Sequence, residues 1–250
     1  MPVSAQLCVV IGGGFLGSAL AESMQRQGQR VIVLDSRDGQ DAADPAVLRA
    51  VLAQGMPKTI FCCQATHGGT AADYRHAYWD VVQTIREVCP AARIVFCSSL
   101  GASADGGRAA LLRQTEAAVT AAGGVVLRLA ALYGEGRCEL LRRHLAGEPK
   151  LGGAETRVLR YLHREDAVAA LLIVASQPAG RYAAVGECLV KAEIYRSLEQ
   201  WTGVPASAES APLSSRAVLS PEILPAPARW QPCRRMEDFV KNEMKHLTHA

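Results

Sequence analysis

The stretch that decides the fold is LCVVIGGGFLG at residues 7–17, which is followed by a second apolar run, VIVLD, at residues 31–35. The residues before the glycines are all apolar, which is typical of a buried strand in a parallel sheet. A glycine turn and a helical segment over residues 18–27 separate the two runs, and the second run ends on an acid. The pattern predicts a βαβ unit of the kind that binds a mononucleotide.

The glycines Gly12, Gly14 and Gly17 follow the spacing G-x-G-x-x-G of dinucleotide-binding turns. The first glycine of this pattern allows the tight turn, the second lets backbone amides approach a pyrophosphate, and the third lets helix and strand pack closely. The pyrophosphate then lies at the positive end of the helix dipole, where free N–H groups point at it. Asp35 stands where a carboxylate can accept hydrogen bonds from the adenosine ribose. We predict a dinucleotide site here rather than a glycine turn without a ligand.

Strand-like and helix-like segments alternate along the rest of the chain's first two thirds. These segments are apolar runs at 59–63, 93–97 and 125–129 and helical patterns at 71–89 and 108–122. The alternation favours a doubly wound α/β fold, in which right-handed crossovers join the strands of a parallel sheet. We predict a Rossmann domain over residues 1–175. Residues 176–250 contain many prolines and would form a small substrate-covering lobe, because they could bury little surface alone.

The carboxyl ends of parallel strands meet at one edge of the sheet, where ligands bind in open α/β folds. We therefore expect the cofactor to contact the glycine turn and the loops that follow the next three strands. The predicted cofactor-binding residues are Gly12, Gly14, Phe15, Leu16, Gly17, Asp35, Ser36, Arg37, Gln64, Ala65 and Ser98. Asp35 would repel a 2′-phosphate, which favours NAD, whereas Arg37 could bind that phosphate, so NADP stays an alternative.

Composition excludes several classes of protein. The net charge is +3 and the basic residues are scattered singly or in pairs, so the sequence shows no footprint for nucleic acid. No apolar run approaches the roughly 20 residues of a membrane span, and no signal peptide is apparent. None of the eight cysteines forms a C-x-x-C spacing, which indicates reduced thiols rather than a metal site. We expect a cytoplasmic protein without a metal.

Four further stretches resemble the extended short-chain dehydrogenases/reductases, the branch of nucleotide-sugar epimerases and dehydratases, together with their atypical relatives. They are FCSS at 96–99, VLRLAALYGEGR at 126–137, LHREDA at 162–167 and RWQP at 229–232. The resemblance covers most of the chain and implies an NAD(P)-dependent oxidoreductase or epimerase that acts on a small polar substrate such as a sugar nucleotide. It implies that Ser99 is the active-site serine, which would orient a substrate oxygen. It also implies a homodimer as one assembly, although no apolar stripe selects it.

The chain departs from this family in its proton relay. The family uses a tyrosine and a lysine four residues later, and the lysine lowers the pKa of the tyrosine. None of the six tyrosines has a lysine at that spacing. If Glu116 is matched to the acid that often follows the motif, Arg108 and Leu112 replace the tyrosine and the lysine. The glycine spacing is also one residue shorter than the extended branch uses, which suits the atypical members.

Two interpretations of the missing relay stay open. Tyr133 is the best substitute proton donor, because its loop should lie beside the nicotinamide, where Arg137 or His163 could perturb its pKa. The simpler interpretation, which we favour, is that Tyr133 only packs its loop. His67 and His76 flank the expected cleft, but a surface or hydrogen-bonded role fits each of them better. The chain is therefore either an enzyme with an atypical site, which we favour, or a non-catalytic dinucleotide binder that serves structure, sensing or partner binding.

Overall fold

The computed structural model describes residues 6–66, 68–212 and 222–248, without the side chain of Thr248. The strands are β1 (Leu7–Ile11), β2 (Arg30–Leu34), β3 (Thr59–Cys62), β4 (Arg93–Ser99), β5 (Val125–Leu129), β6 (Ala131–Tyr133), β7 (Val158–His163), β8 (Gly180–Ala184) and β9 (Glu187–Val190). The helices are α1 (Phe15–Arg26), α2 (Pro45–Leu52), α3 (Ala71–Tyr74), α4 (Val81–Val88), α5 (Gly107–Ala121), α6 (Glu139–Leu145), α7 (Arg164–Val174), α8 (Lys191–Thr202) and α9 (Met236–Thr248). A π-helical segment, Arg75–Asp80, joins α3 to α4.

The main sheet has six strands in the order β2-β1-β3-β4-β5-β8. Every pair of neighbouring strands in this sheet is parallel. The predicted doubly wound α/β fold, a Rossmann fold, is confirmed. The strand order reverses between β1 and β3, and the crevice outside this switch point is where open α/β sheets bind their ligands.

Each face of the six-stranded sheet has its own hydrophobic core. Leu20 and Met24 of α1 pack with Leu171 of α7 on one face, and Leu48 of α2 packs with Ile85 of α4 on the other. Strands that are covered on both faces bury consecutive side chains, so they read as continuous apolar runs in the sequence. This explains why β1, which is buried along its whole length, was the clearest signal.

A smaller lobe is built on the three-stranded sheet β6-β7-β9, in which β7 and β9 are antiparallel. Its core joins α6, α8 and α9 to this sheet through residues that include Tyr133, Leu141, Ile194, Leu198 and Met236. The predicted division at residue 175 does not coincide with the two sheets. The chain passes between the two sheets three times, from β5 to β6, from β7 to β8 and from β8 to β9, so β8 follows that residue yet completes the large sheet, whereas β6, α6 and β7 precede it yet lie in the lobe.

The segment before α9 returns to the beginning of α7. The indole N–H of Trp230 donates to the carbonyl oxygen of Asp166 at 3.0 Å. The carboxylate Oδ2 of Asp166 accepts from the backbone N–H groups of Cys233 and Arg234, at 3.2 and 3.0 Å. Asp166 is buried. One side chain of α7 therefore fixes the direction in which α9 begins.

Three expectations from composition concern the whole chain. Within residues 6–66, 68–212 and 222–248, no helix has the length and apolar character needed to cross a membrane. The same described residues contain no group of three or more metal-ligating side chains. All eight cysteines are free, and Cys188 and Cys233 are exposed.

His76 is an exposed residue that hydrogen-bonds Asp41 at 2.7 Å, as its surface role predicts, and His67 lies outside the described residues.

Candidate active site

The chain turns sharply between β1 and α1. Gly12 has a φ of +92°, in the left-handed region that favours glycine. Its N–H donates to the carbonyl oxygen of Leu34 in β2 at 2.8 Å. A Cβ at this position would lie 2.6 Å from the backbone nitrogen of Gln64, which is closer than real Cβ atoms approach. Gly12 therefore lets the loop after β3 pack directly against the turn, as the first glycine of the motif predicts.

The other two glycines of the motif have different surroundings. A Cβ on Gly17 would overlap the carbonyl oxygen of Gly12, so this glycine lets α1 pack on the turn. A Cβ on Gly14 would meet no atom of the described residues within 4 Å, so the space in front of Gly14 is open. Gly14 is the N-cap of α1, and no described side chain caps the helix there. The backbone N–H groups of the first turn therefore face an open space that can hold an anion.

Two arginines lie over the ring of Phe15, the first residue of α1. The guanidinium carbon of Arg137 is 5.2 Å from the ring centroid, and that of Arg164 is 4.9 Å from it. Both distances are in the range of a cation–π contact. Arg137 comes from the loop after β6, and Arg164 begins α7. The aromatic ring thus gathers two positive charges beside the N-terminus of α1.

Asp35 follows β2 and lies against the glycine turn, because a Cβ on Gly13 would be 2.8 Å from its Oδ2. The guanidinium Nε of Arg37 donates to Oδ1 of Asp35 at 3.0 Å, and the backbone N–H of Arg37 donates to the same oxygen at 3.0 Å. The side-chain hydrogen bond from Arg37, followed by the backbone one, lowers the pKa of Asp35 to about 2. A charged carboxylate therefore stands where the motif predicts it, and Arg37 already binds it.

The remaining predicted cofactor residues present different groups. Ser36 begins a short 3-10 turn behind Asp35. Leu16 is buried in the sheet core, so the cofactor can reach only its backbone N–H. Ala65 is exposed in the loop after β3. The side-chain amide of Gln64 donates to the carbonyl oxygen of Ala77 at 2.8 Å, so the backbone of Gln64, and not its amide, lies against the turn.

Ser98, which is predicted to bind the cofactor, has its side chain engaged elsewhere. Ser98 is buried and its hydroxyl donates to Oε1 of Glu116 at 2.5 Å. Glu116 in turn binds Arg128 through two hydrogen bonds, Nε to Oε1 at 2.8 Å and Nη2 to Oε2 at 2.6 Å. Both charged side chains are 1% exposed. Ser98 therefore belongs to a buried polar network between α5 and β5, because alternate residues of β4 point to opposite faces.

A cleft of about 940 Å³ opens between the carboxyl edge of the large sheet and the lobe. Ser99, Tyr74 and Tyr78 line it from the sheet side, and Tyr133 and Tyr161 line it from the lobe. Its charged lining includes Arg108, Arg137, Arg157 and Arg160. None of these four arginines forms an ion pair with a carboxylate of the described residues. Two carboxylates, Asp105 and Glu139, also line the cleft, and Glu139 is paired with Arg142, so cations are in excess and the cleft suits an anionic ligand.

Comparison with known proteins agrees with this geometry. Residues 8–121 match the model of the NAD dependent epimerase/dehydratase family. The resemblance that the sequence predicts is confirmed. The match includes the glycine turn and ends at the last residue of α5, so it leaves out the lobe. No curated protein is similar enough in sequence to match the chain.

Solved structures of the same fold align with nearly the whole chain. UDP-glucose 4-epimerase of Thermus thermophilus, in complex with NAD, aligns with a TM-score of 0.74 and 18% identity over 98% of this chain and 100% of its own. dTDP-glucose 4,6-dehydratase of Bacillus anthracis, in complex with NAD, gives 0.77 and 15% over 98% and 97%. GDP-L-fucose synthetase of Naegleria fowleri, bound to NADP, gives 0.70 and 12% over 99% and 94%. At these identities the likeness shows the fold alone.

Arg108 is the residue that would stand in place of the tyrosine of the resembled family if Glu116 is matched to the acid that follows the motif. Arg108 and Leu112 lie two turns and one turn before Glu116 on α5, and both line the cleft. The guanidinium of Arg108 lies 4.4 Å over the ring of Tyr74, and its Nη2 donates to the carbonyl oxygen of Gly69 at 2.9 Å. Two contacts therefore hold Arg108 in the cleft. Sequence reasoning did not connect it to Tyr74, because no local pattern joins α3 to α5.

Ser99, where the resemblance places the family's active-site serine, lies at the mouth of the cleft. It is the last residue of β4 and is exposed. Its Oγ accepts a hydrogen bond from the backbone N–H of Gly101 at 3.0 Å, which fixes the side chain. The hydroxyl hydrogen remains available for a substrate oxygen. The geometry is therefore compatible with the orienting role that the resemblance implies.

Tyr133 is packed as a core residue. It is 1% exposed, and its ring meets the rings of His163 and Phe239 at centroid distances of 5.1 and 5.3 Å. Its hydroxyl lies 3.4 Å from Oε2 of Glu187. Burial, and after it the negative charge of Glu187, raises the pKa of Tyr133 well above its ordinary value. Arg137 and His163 are the two groups that could perturb the pKa of Tyr133. The guanidinium of Arg137 lies over Phe15, and the ring of His163 packs edge-on against the Tyr133 ring, so the geometry favours the packing role.

Proposed function

We propose that the chain binds a nicotinamide dinucleotide, with NAD preferred, and works as an oxidoreductase or epimerase on a small anionic substrate. The observation that carries this proposal is the open space at Gly14. The turn is surrounded by an uncapped helix N-terminus, two arginines and the carboxylate of Asp35. The space at Gly14 could hold a side chain, but glycine has none. Such a turn fits the pyrophosphate and the ribose of a dinucleotide.

The residues of the turn fit the cofactor one group at a time. The backbone N–H groups of Phe15, Leu16 and Gly17 would hold the pyrophosphate, because the first turn of a helix leaves them without intrahelical partners. Asp35 would accept from the ribose hydroxyls, and its low pKa keeps it charged. The charge of Asp35 would repel the 2′-phosphate of NADP, which supports NAD. Arg37 partly neutralises this charge, so NADP binding stays possible. The bound dinucleotide would supply the hydride acceptor.

The cleft supports a substrate that carries phosphate. Four arginines without carboxylate partners among the described residues line a volume that is large enough for a small organic ligand. One guanidinium can donate two parallel hydrogen bonds to the oxygens of a phosphate, so a lining of several arginines matches a diphosphate. Two proteins of the same fold are named for UDP-glucose and dTDP-glucose. A sugar nucleotide is therefore the substrate class that we propose for this chain.

The reacting group would lie between Ser99 and Arg108. Ser99 would donate to a substrate oxygen, and Arg108 would stabilise negative charge that develops on it. Arg108 cannot accept a proton, because a guanidinium stays charged in proteins. Among the phenols that line the cleft, Tyr74 fits the proton donor better than Tyr133. Its ring lies directly under the Arg108 cation, whereas Tyr133 is packed in the lobe.

Calorimetric titration with NAD, NADH, NADP and NADPH tests the cofactor site. Gly14→Val fills the open space and should abolish binding while the thermal unfolding midpoint stays close to that of the wild type. Ala46→Val places a valine in the exposed first turn of α2 instead and should bind normally. The proposal is wrong if the wild type binds none of the four forms, or if Gly14→Val binds as tightly as the wild type.

A second function, a non-catalytic dinucleotide binder, is favoured by one observation. No tyrosine of the chain has a lysine four residues later, and if Glu116 is matched to the acid after the motif, Arg108 and Leu112 would stand in place of the relay's tyrosine and lysine. Incubation with NAD and UDP-glucose, followed by nicotinamide absorbance and by NMR of the sugar, separates the two functions. Turnover that is lost in Ser99→Ala and Tyr74→Phe supports the enzyme. Tight dinucleotide binding without turnover of any sugar nucleotide supports the binder.

A further inference from the structure

Two thiols meet at the carboxyl edge of the large sheet. Cys63 directly follows β3 and Cys97 lies in β4, and their sulfur atoms are 3.4 Å apart. The register pairs Cys62 with Phe96, so Cys63 and Cys97 are the next pair along the same two strands. Residues that face each other across parallel strands point to the same side of the sheet. The two sulfurs need to approach by only about 1.4 Å to reach the roughly 2.05 Å of a disulfide bond.

This pair is distinct from the other cysteines of the chain. Cys63 and Cys97 are half-buried residues that pack against the core on the α1 face. Cys62 points to the opposite face, where it is fully buried. Cys188 and Cys233 are exposed, and no other cysteine of the described residues has its sulfur in contact with Sγ of Cys63 or Cys97. Oxidation of this pair therefore has a defined product.

The pair is attached to the glycine turn. The backbone N–H of Cys63 donates to the carbonyl oxygen of Ile11 at 2.8 Å. The carbonyl carbon of Cys63 lies 3.0 Å from the position that a Cβ on Gly12 would occupy. Closing a bond between β3 and β4 shifts Cys63 toward Cys97 and away from Ile11. The displacement therefore acts on the residues that begin the turn.

We propose that Cys63 and Cys97 are a dithiol that a peroxide oxidises to a disulfide, and that this disulfide weakens dinucleotide binding. The thiolate of Cys63 attacks hydrogen peroxide and becomes a sulfenic acid, and one water forms. The sulfur of Cys97 then attacks the sulfenic sulfur, the S–S bond forms and a second water leaves with the thiol protons. Two thiols are oxidised and one peroxide is reduced. The hydrogen bond to Cys63, followed by burial, raises the pKa of Cys97, which suits it to act second.

Peptide mapping without reduction tests the disulfide. Reduced protein is treated with an equal concentration of hydrogen peroxide, and its peptides are identified by mass spectrometry. We expect a cross-linked peptide pair that contains Cys63 and Cys97 and has lost two hydrogens, and dithiothreitol should separate it. Cys63→Ser and Cys97→Ser should lack this pair, and Cys188→Ser should retain it. Protein in which these two residues stay as thiols while Cys188 is oxidised would overturn the proposal.

Titration with NAD before and after peroxide tests the consequence, which rests on the proposed dinucleotide site. We expect binding to the oxidised wild type to be about tenfold weaker, and to recover after dithiothreitol. Peroxide should leave the affinity of Cys97→Ser unchanged. A cross-link with unchanged affinity disproves the regulatory part. If the reduced protein binds no dinucleotide, the proposed function fails, and the peptide map still decides whether the dithiol exists.

Discussion

The guanidinium of Arg37 donates to both carboxylate oxygens of Asp35, and its Nη2 lies 2.5 Å from Oδ2. The same nitrogen donates to the carbonyl oxygen of Gly13 at 3.2 Å. Arg37 therefore covers the oxygens that ribose hydroxyls would use, although its own side chain is 72% exposed. At the proposed site a dinucleotide would have to displace Arg37, so we expect this pair of residues to decide which cofactor binds.

Replacing Asp35 or Arg37 by alanine should change the affinity for NAD in opposite directions. Asp35→Ala should weaken NAD binding by about tenfold or more, because hydrogen bonds to a charged group contribute about 1.5–3 kcal/mol. Arg37→Ala should strengthen NAD binding and weaken NADP binding, because it uncovers the carboxylate and removes the cation. Calorimetric titration measures both, with Arg49→Ala on α2 as the control. An unchanged ratio of NAD to NADP affinity in Arg37→Ala would contradict this view.

Alanine substitutions of the second and third glycines of the motif, Gly14 and Gly17, should differ in their effect on the free energy of unfolding. Gly17→Ala places a Cβ against the carbonyl oxygen of Gly12 and should lower the free energy of unfolding by about 1–3 kcal/mol. Gly14→Ala points into open space and should cost about 1 kcal/mol or less, mainly through the weaker N-cap. Urea unfolding of the two variants gives the comparison. Equal losses would mean that the open space at Gly14 is not real.

The buried pair of Glu116 and Arg128 should be costly to break from one side. Glu116→Leu leaves Arg128 buried without its main partner and should lower the free energy of unfolding by about 3–5 kcal/mol. The double variant Glu116→Leu with Arg128→Met removes both charges and should be more stable than the single one. Urea unfolding of the three proteins measures this non-additivity. A double variant that is less stable than the single one would refute the argument.

His163 should contribute to a loss of stability in mild acid. Burial, and after it the charge of Arg234, lowers the pKa of His163, so the unfolded chain binds a proton more readily than the folded protein. Its contribution is present above the unfolded pKa of about 6.5 and is lost as the pH falls through the folded value. His163 caps α7 by accepting from the N–H of Glu165, and Asn can accept in its place.

His163→Asn should therefore lose less stability than the wild type between about pH 7 and pH 5. Urea unfolding at several pH values measures the difference. Burial also lowers the pKa of His144. Because His144 is present in both proteins, both should still lose some stability as the pH falls. Parallel pH profiles for the two proteins would show that His163 titrates alike in the folded and unfolded states.

The part of the fold that the sequence predicted is the part that depends on local pattern. β1, β3 and β5 are buried along their whole length, and the middle residues of β2 and β4 are buried or half-buried, so each strand appears as an apolar run, and the helices between them show their own period. β8 carried no such signal, because it is half-exposed at the edge of the sheet and takes its place by pairing with β5. The predicted boundary at residue 175 failed to match the sheets for this reason. The place of β8 in the large sheet depends on its long-range pairing with β5, which the local sequence pattern does not show.

The candidate site divides in the same way. The glycine turn and Asp35 are contiguous with the strands that position them, so spacing alone located them. The side chain of Ser98 faces the buried network while Ser99 faces the cleft, as the two-residue period of a strand indicates. The cluster of Phe15 with Arg137 and Arg164 had no sequence signal, because its members are brought together only by the packing of α1 on α7.

The carboxylate of Asp166 accepts from residues 67 and 68 positions later in the chain. On the ribosome, α7 and the six-stranded sheet are therefore made before the groups that satisfy this buried charge. Until they emerge, α9 has no anchor, and the ring of Phe239 cannot cover Tyr133 and His163. The nascent chain can thus form the six-stranded sheet early, whereas the core of the lobe, to which α9 contributes Met236 and Val240, is completed last.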